Sequence, residues 1–122
     1  MYNKKESVED YLEKVLMLKE RQDLVRAIDL AKYMSFSKAS VSVALKKLKS
    51  YGYLIVDEKT GNITLTEEGY RIGKATYERH EILTKALISL GVSDKTAKED
   101  ACAIEHIISE ETFQKLKKLY NK

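Results

Sequence analysis

The stretch Cys102-Ala103-Ile104-Glu105-His106 places a thiol, a carboxylate and an imidazole within five residues. These are donor types that transition metals take, and at about 100° per helical residue Glu105 and His106 fall on either side of Cys102. Ala97, Ala101, Ile104 and Ile108 follow one another at i, i+4, i+7 and i+11 and form a neighbouring apolar face. The same spacing also describes a small buried thiol beside a surface acid and a surface imidazole, so the rest of the chain must decide. Two further candidates are ambiguous on local grounds. Asp10 and Glu13 are three residues apart on a helical stripe, where like charges repel and ordinarily face water. His80 sits alone in the middle of a long helical stretch, the setting of many polar core residues.

The elements that must position these groups can be read in order. Ser7 is suited to cap a helix from about Val8 to Glu20, with Val8, Tyr11, Leu12, Val15 and Leu18 as its apolar stripe. A short helix over 27–34 and a third, which Ser37 can cap and which reaches about Ser50, are joined by the turn Ser35-Phe36-Ser37, the pattern of a helix-turn-helix. Tyr53-Leu54-Ile55-Val56 and Ile63-Thr64-Leu65 flank a Gly-Asn turn and read as a hairpin. A hairpin directly after a helix-turn-helix is the wing of a winged-helix domain. Thr66, with Glu67 and Glu68, opens a long helix to about Leu90 that Gly91 closes, and Ser93 caps the next helix. A last amphipathic helix starts near Glu110 and carries Phe113, Leu116 and Leu119. The expected fold is mainly α: a winged helix-turn-helix with a small two-stranded wing over 1–65, then an all-helical half over 66–122.

Composition limits the possible functions. The 122 residues suffice for one small domain and an oligomerisation element, and no apolar run approaches the roughly 18 residues of a membrane helix. A single cysteine allows no intrachain disulfide, and the N-terminus lacks a secretory signal, so a cytoplasmic setting is expected. Net charge is only +3, but residues 26–50 carry six basic side chains against Asp29 alone. Charge concentrated on a helix-turn-helix points to nucleic acid. In the third helix Val41, Ala44, Leu45 and Leu48 form the inward stripe. Ser37, Ala39, Ser42 and Val43 then make a small, base-facing surface, with Lys38, Lys46, Lys47 and the wing's Lys59 for phosphates and Ser40 also counted among the DNA-binding residues. An ordinary lysine-rich solvent face is the plainer alternative.

In combination, these stretches resemble the metal-dependent repressors typified by the diphtheria toxin repressor and the manganese transport regulator. The resemblance covers nearly the whole chain: Ser7 to Glu13, Val41 to Leu48, Ile63 to Gly69, Arg79-His80, and Asp100 to Ser109. It implies that Asp10, Glu13, His80, Cys102, Glu105 and His106 are metal ligands. Asp10 and Glu13 match the manganese-responsive branch, whereas Cys102 matches the iron-responsive one. Thr84 and Lys98 stand where the iron type has an ancillary acid and histidine. A thiolate among carboxylates and imidazoles favours Fe2+, then Mn2+, with Zn2+ as a mismetallating ion.

The implied function is a metal-activated repressor of iron or manganese uptake genes. It binds a palindromic DNA operator as a homodimer, with recognition elements about 34 Å apart. An ion tying the two halves together is the expected switch. Leu83, Leu87, Leu90, Phe113 and Leu116 are expected at the dimer surface, and the SH3-like domain that some members of that family carry is not expected here. Two other classes are considered. A zinc hydrolase lacks a substrate loop and a second acid/base set, so no enzyme is expected. A metal-independent winged-helix regulator or interaction module would leave the ligand-type residues with structural roles.

Overall fold

The computed structural model describes residues 4–120. Its elements are α1 (Lys4–Lys19), α2 (Ala27–Met34), α3 (Lys38–Ser50), β1 (Leu54–Val56), β2 (Ile63–Leu65), α4 (Glu67–Ser89), α5 (Asp94–Ile104) and α6 (Glu110–Tyr120). They form two compact units, Met1–Lys74 and Ala75–Lys122, and α4 contributes residues to both.

In the first unit, local signals set most boundaries. The Asp29 carboxylate accepts from the Arg26 backbone N–H at 2.8 Å and holds the start of α2. Ser35, at φ 58°, turns the chain out of that helix. Ser37 Oγ accepts from Ser40 N at 3.1 Å, which satisfies one of the first free N–H groups of α3. The expected cap at Ser7 is not formed, because α1 already begins at Lys4 and Ser7 lies inside it. Lys4, Lys5 and Glu6 are good helix formers, and they carry the helix past that signal.

Leu12, Val15, Val25, Leu30, Val41 and Ile63 have no exposed surface and close the core between the helices and the wing. Each such aliphatic side chain contributes about 2 kcal/mol by leaving water. β1 and β2 pair antiparallel with Leu54 opposite Leu65 and Val56 opposite Ile63. The wing is fastened at its base: Ile63 N donates to Val25 O at 2.8 Å. Asn62 Oδ1 accepts there from Val25 N at 3.0 Å and from Lys19 Nζ at 2.8 Å. At its tip Asp57 accepts from the N–H groups of Lys59 and Thr60, and those bonds hold its carboxyl below the usual carboxylate range. The first part of α4 presses on this unit's backbone. A Cβ at Gly69 would lie 1.9 Å from Tyr53 O, and one at Gly73 would lie 2.9 Å from Leu12 O.

In the second unit Gly91, at φ 97°, ends α4, with Gly91 N bonded to Ile88 O and Val92 N to Leu87 O. Ser93 Oγ then accepts from Thr96 N at 3.3 Å and caps α5. Ile82, Leu83, Ala86, Ala97, Ala101 and Phe113 are buried. Leu83 and Phe113 therefore do not lie on the surface offered to a partner, contrary to expectation. Their apolar bulk is spent inside the chain. Leu90 is 75% exposed, Ile107 73% and Leu119 61%, so apolar surface that does face outward sits just after α4, in the turn before α6 and near the end of α6.

Candidate metal centre and nucleic-acid interface

The pentapeptide from Cys102 to His106 is not one continuous helical turn. α5 ends at Ile104, with Glu105 as its cap residue and His106 in the turn beyond. Glu105 keeps helical backbone angles and its N–H still reaches Ala101 O at 2.9 Å, so its side chain continues the helical sweep. The polarity of the buried face also differs from the sequence expectation. Ile104 and Ile108 are only half-buried, whereas Glu105 is completely buried and His106 is 9% exposed. A carboxylate and an imidazole occupy interior positions that the spacing assigned to isoleucines.

Within this unit two imidazoles flank the Glu105 carboxylate. His80 Nδ1, from α4, lies 2.9 Å from Oε1. His106 Nε2 lies 3.7 Å from Oε2, beyond hydrogen-bond length. A carboxylate out of water needs a hydrogen bond or a cation to offset lost hydration. A buried carboxylate between two imidazole nitrogens suits a divalent transition ion such as Mn2+, Fe2+ or Zn2+, so the donor chemistry fits a metal. Cys102 is half-buried, one helical turn before Glu105. Among the described residues it joins no group of three or more metal-type donors whose atoms all lie within 4.8 Å of one another.

Arg79, next to His80, is a residue the sequence reading did not assign. Its guanidinium reaches Glu105 O at 3.4 Å and Glu110 Oε1 at 3.0 Å, and lies 5.5 Å from the centroid of the Phe113 ring. It ties the end of α5 and the start of α6 to the helix that carries His80. Thr84, at the position of the absent ancillary acid, turns its hydroxyl into α4 and donates to His80 O at 2.7 Å.

In the first unit Asp10 and Glu13 are buried on α1. They do not face water as a repelling pair, because Lys14 Nζ bridges them, 3.0 Å from Asp10 Oδ1 and 3.0 Å from Glu13 Oε1. The Tyr11 hydroxyl is pushed up in pKa, first by burial and then by the Asp10 charge.

The DNA-facing candidates all lie on the surface of the first unit. Ser37, Lys38, Ala39, Ser40, Ser42, Val43, Lys46, Lys47 and Lys59 are exposed, and Val43, 55% exposed, is the one large apolar side chain among them. A groove of about 1000 Å3 runs between that face, the Ser35–Ser37 turn and the start of α1 at Ser7, Val8 and Tyr11.

Comparison with known proteins decides the family. Residues 5–62 match the iron dependent repressor N-terminal DNA binding domain, and residues 66–122 match the iron dependent repressor metal binding and dimerisation domain. A helix-turn-helix-type transcriptional regulator of Methanocaldococcus jannaschii is 37% identical over 114 residues, covering 92% of this chain and 90% of that one. The chain belongs to the iron dependent repressor family. The regulator MntR of Bacillus subtilis is 36% identical over 103 residues, 84% of this repressor and 72% of MntR. The solved structure of a manganese-dependent transcriptional repressor in complex with manganese superposes with a TM-score of 0.84 at 27% identity over 93% of this chain. The chain spans about half the length of that solved structure's chain, 52%. Members of the family are transcriptional repressors rather than enzymes, and this chain carries both their DNA-binding and their metal-binding and dimerisation domains.

Proposed function

We propose that this repressor is activated by a divalent transition metal and represses genes of metal uptake by binding a palindromic operator as a homodimer in the cytoplasm. The DNA-binding part is 1–65, and 66–122 binds metal and dimerises. The observation that carries the reading is the buried Glu105 carboxylate with His80 against one oxygen and His106 toward the other. The proposed ligands are Asp10, Glu13, His80, Cys102, Glu105 and His106. Ser37, Ala39, Ser42 and Val43 read bases, Lys38, Lys46, Lys47 and Lys59 contact phosphates, and Ser40 belongs to the same DNA-binding surface.

The bound ion supplies positive charge that the carboxylates need, and it binds the DNA-competent arrangement more tightly than others, which shifts the population toward it. Around it, this chain's own groups do the positioning. Arg79 holds the Glu105 segment, and the His80–Glu105 contact orients the His80 ring. Fe2+ is favoured over Mn2+ because Cys102 offers a softer donor than a carboxylate, with Zn2+ as the ion that competes wrongly.

The test is metal titration followed by operator binding. Duplexes selected from a random pool with the Mn2+-loaded protein are assayed with Fe2+ under anaerobic conditions, with Mn2+, with Zn2+, and with chelator. DNA affinity is expected to collapse in chelator and to return with Fe2+ at lower free-ion concentration than with Mn2+. Cys102→Ser is expected to narrow that gap. Equal DNA binding with and without chelator refutes metal activation. A lower threshold for Mn2+ refutes the iron preference alone.

A further inference from the structure

Lys14 has no role in the reading above, yet its ammonium occupies the bite of the two carboxylates assigned to the metal on α1. It lies 3.0 Å from an oxygen of each. The three groups are unequally exposed: the Lys14 side chain is 16% exposed, that of Asp10 7%, and that of Glu13 not at all. We propose that Lys14 is a built-in substitute for the metal. Its ammonium holds Asp10 and Glu13 together in the metal-free protein and must leave before a divalent ion takes those oxygens, so Lys14 sets the metal concentration at which the repressor responds. This rests on the reading of Asp10 and Glu13 as ligands.

Two carboxylates brought out of water on one side of a helix repel each other, and losing hydration costs each several kcal/mol unless a cation offsets it. Lysine suits that role. Its charge is a compact point with three donors, so one ammonium can serve both acids. It also suits removal. The flexible four-carbon stem can swing its head group to water, and Lys14 is the most exposed of the three. A divalent ion brings twice the charge to the same oxygens and can take its place.

The cost of ejecting the ammonium is the same whichever ion enters. Lys14 therefore moves every metal affinity by one common factor and leaves the order of preference alone, whereas Cys102 discriminates between ions. That difference separates a threshold residue from a ligand.

The experiment uses the full chain with Lys14 intact and as Lys14→Met, Lys14→Gln and Lys14→Arg. Mn2+ and Co2+ are titrated by calorimetry, and melting is followed in chelator and in saturating Mn2+. Lys14→Met and Lys14→Gln are expected to bind both ions about tenfold more tightly, by the same factor. They should melt below the parent protein in chelator and gain more from Mn2+. Lys14→Arg, which keeps the charge, should stay close to the parent. Unchanged or weaker affinity in the uncharged variants overturns the proposal, as does a gain for one ion only.

A readout on the parent protein does not depend on any variant folding. Acylation of the Lys14 amine, followed by peptide mass, should accelerate when Mn2+ is added, and a rate that stays level or falls overturns the displacement step. Should the parent protein bind neither ion, the assignment of Asp10 and Glu13 as ligands fails and this inference with it. Binding by all four proteins with equal affinity refutes the inference while leaving the ligands in place.

Discussion

Glu105 has no solvent-exposed surface and ends a helix, where an acid meets the unfavourable end of the backbone dipole. Both features cost stability, and they are tolerated because His80 and His106 stand beside its two oxygens. If that arrangement exists to bind an ion, Glu105→Gln, which keeps the shape and deletes the charge, separates stability from function. In chelator the variant should melt at or slightly above the parent temperature, since a buried charge has been removed. Its Mn2+ affinity should fall by at least the ~100-fold that the loss of an outer-sphere partner alone can cost. Calorimetric titration beside a thermal melt reads both. Affinity within a few-fold of the parent would remove Glu105 from the ligand set.

The residue types at this site were legible in the sequence, because a thiol, an acid and an imidazole in five residues is a rare conjunction. Their disposition was not. Extrapolating one helical period through His106 assumed a helix that stops at Ile104, and it placed isoleucines inside where Glu105 and His106 are found. Nor could the sequence choose a partner for Asp10 and Glu13. Lys14 is adjacent to one and four residues from the other, a spacing that on most helices means only an exposed ion pair worth little. Burial gives the trio its meaning, and burial comes from tertiary packing.

At the scale of elements, boundaries were legible wherever a side chain or a glycine makes a local stop or start signal. Ser37, Thr66, Ser93 and Gly91 all serve as expected: Thr66 Oγ1 accepts from Gly69 N at 3.2 Å at the head of α4. Ser7 failed because a cap is only one contribution to helix initiation, and good helix formers preceded it. What no periodicity could show is how closely α4 approaches the backbone of its own unit. Gly69 measures that approach.

Alanine inside a helix is ordinarily better than glycine by about 1 kcal/mol. Here its methyl would collide with the Tyr53 carbonyl oxygen, which belongs to the backbone and cannot rotate away. Overpacking of this kind costs about 3 kcal/mol, so the clash wins and Gly69→Ala should be destabilising by about 2 kcal/mol net. Gly91→Ala supplies the contrast. It has open space around the added methyl but a φ of +97°, so its cost is the backbone penalty of about 1 kcal/mol alone. Urea unfolding of the two variants should rank Gly69→Ala as clearly the worse, and a Gly69→Ala protein as stable as the parent would mean that α4 does not lie against Tyr53.

For the whole molecule, the question is what the two units gain from being in one chain. A DNA-binding unit and a metal-binding unit could each work alone, and then metal would change nothing about DNA affinity. Regulation requires a coupling free energy, and coupling of equilibrium affinities is reciprocal: whatever factor the metal adds to operator affinity, the operator must add to metal affinity. A typical coupling corresponds to between about 5-fold and 150-fold. Operator binding measured with saturating Mn2+ and in chelator gives one side of the cycle. Mn2+ titration of the free protein and of its operator complex, at the same salt, gives the other, and the two factors should agree. Salt must be matched because release of counterions from the duplex makes any DNA affinity depend on it. Loss of one proposed phosphate contact, as in Lys46→Gln, should lower the salt slope by about one while leaving the coupling factor intact. A parent protein whose operator affinity rises with Mn2+ while its Mn2+ affinity ignores the operator would show that the ion acts elsewhere, for example by contacting DNA or by assembling subunits, and not by shifting the population of a DNA-competent state.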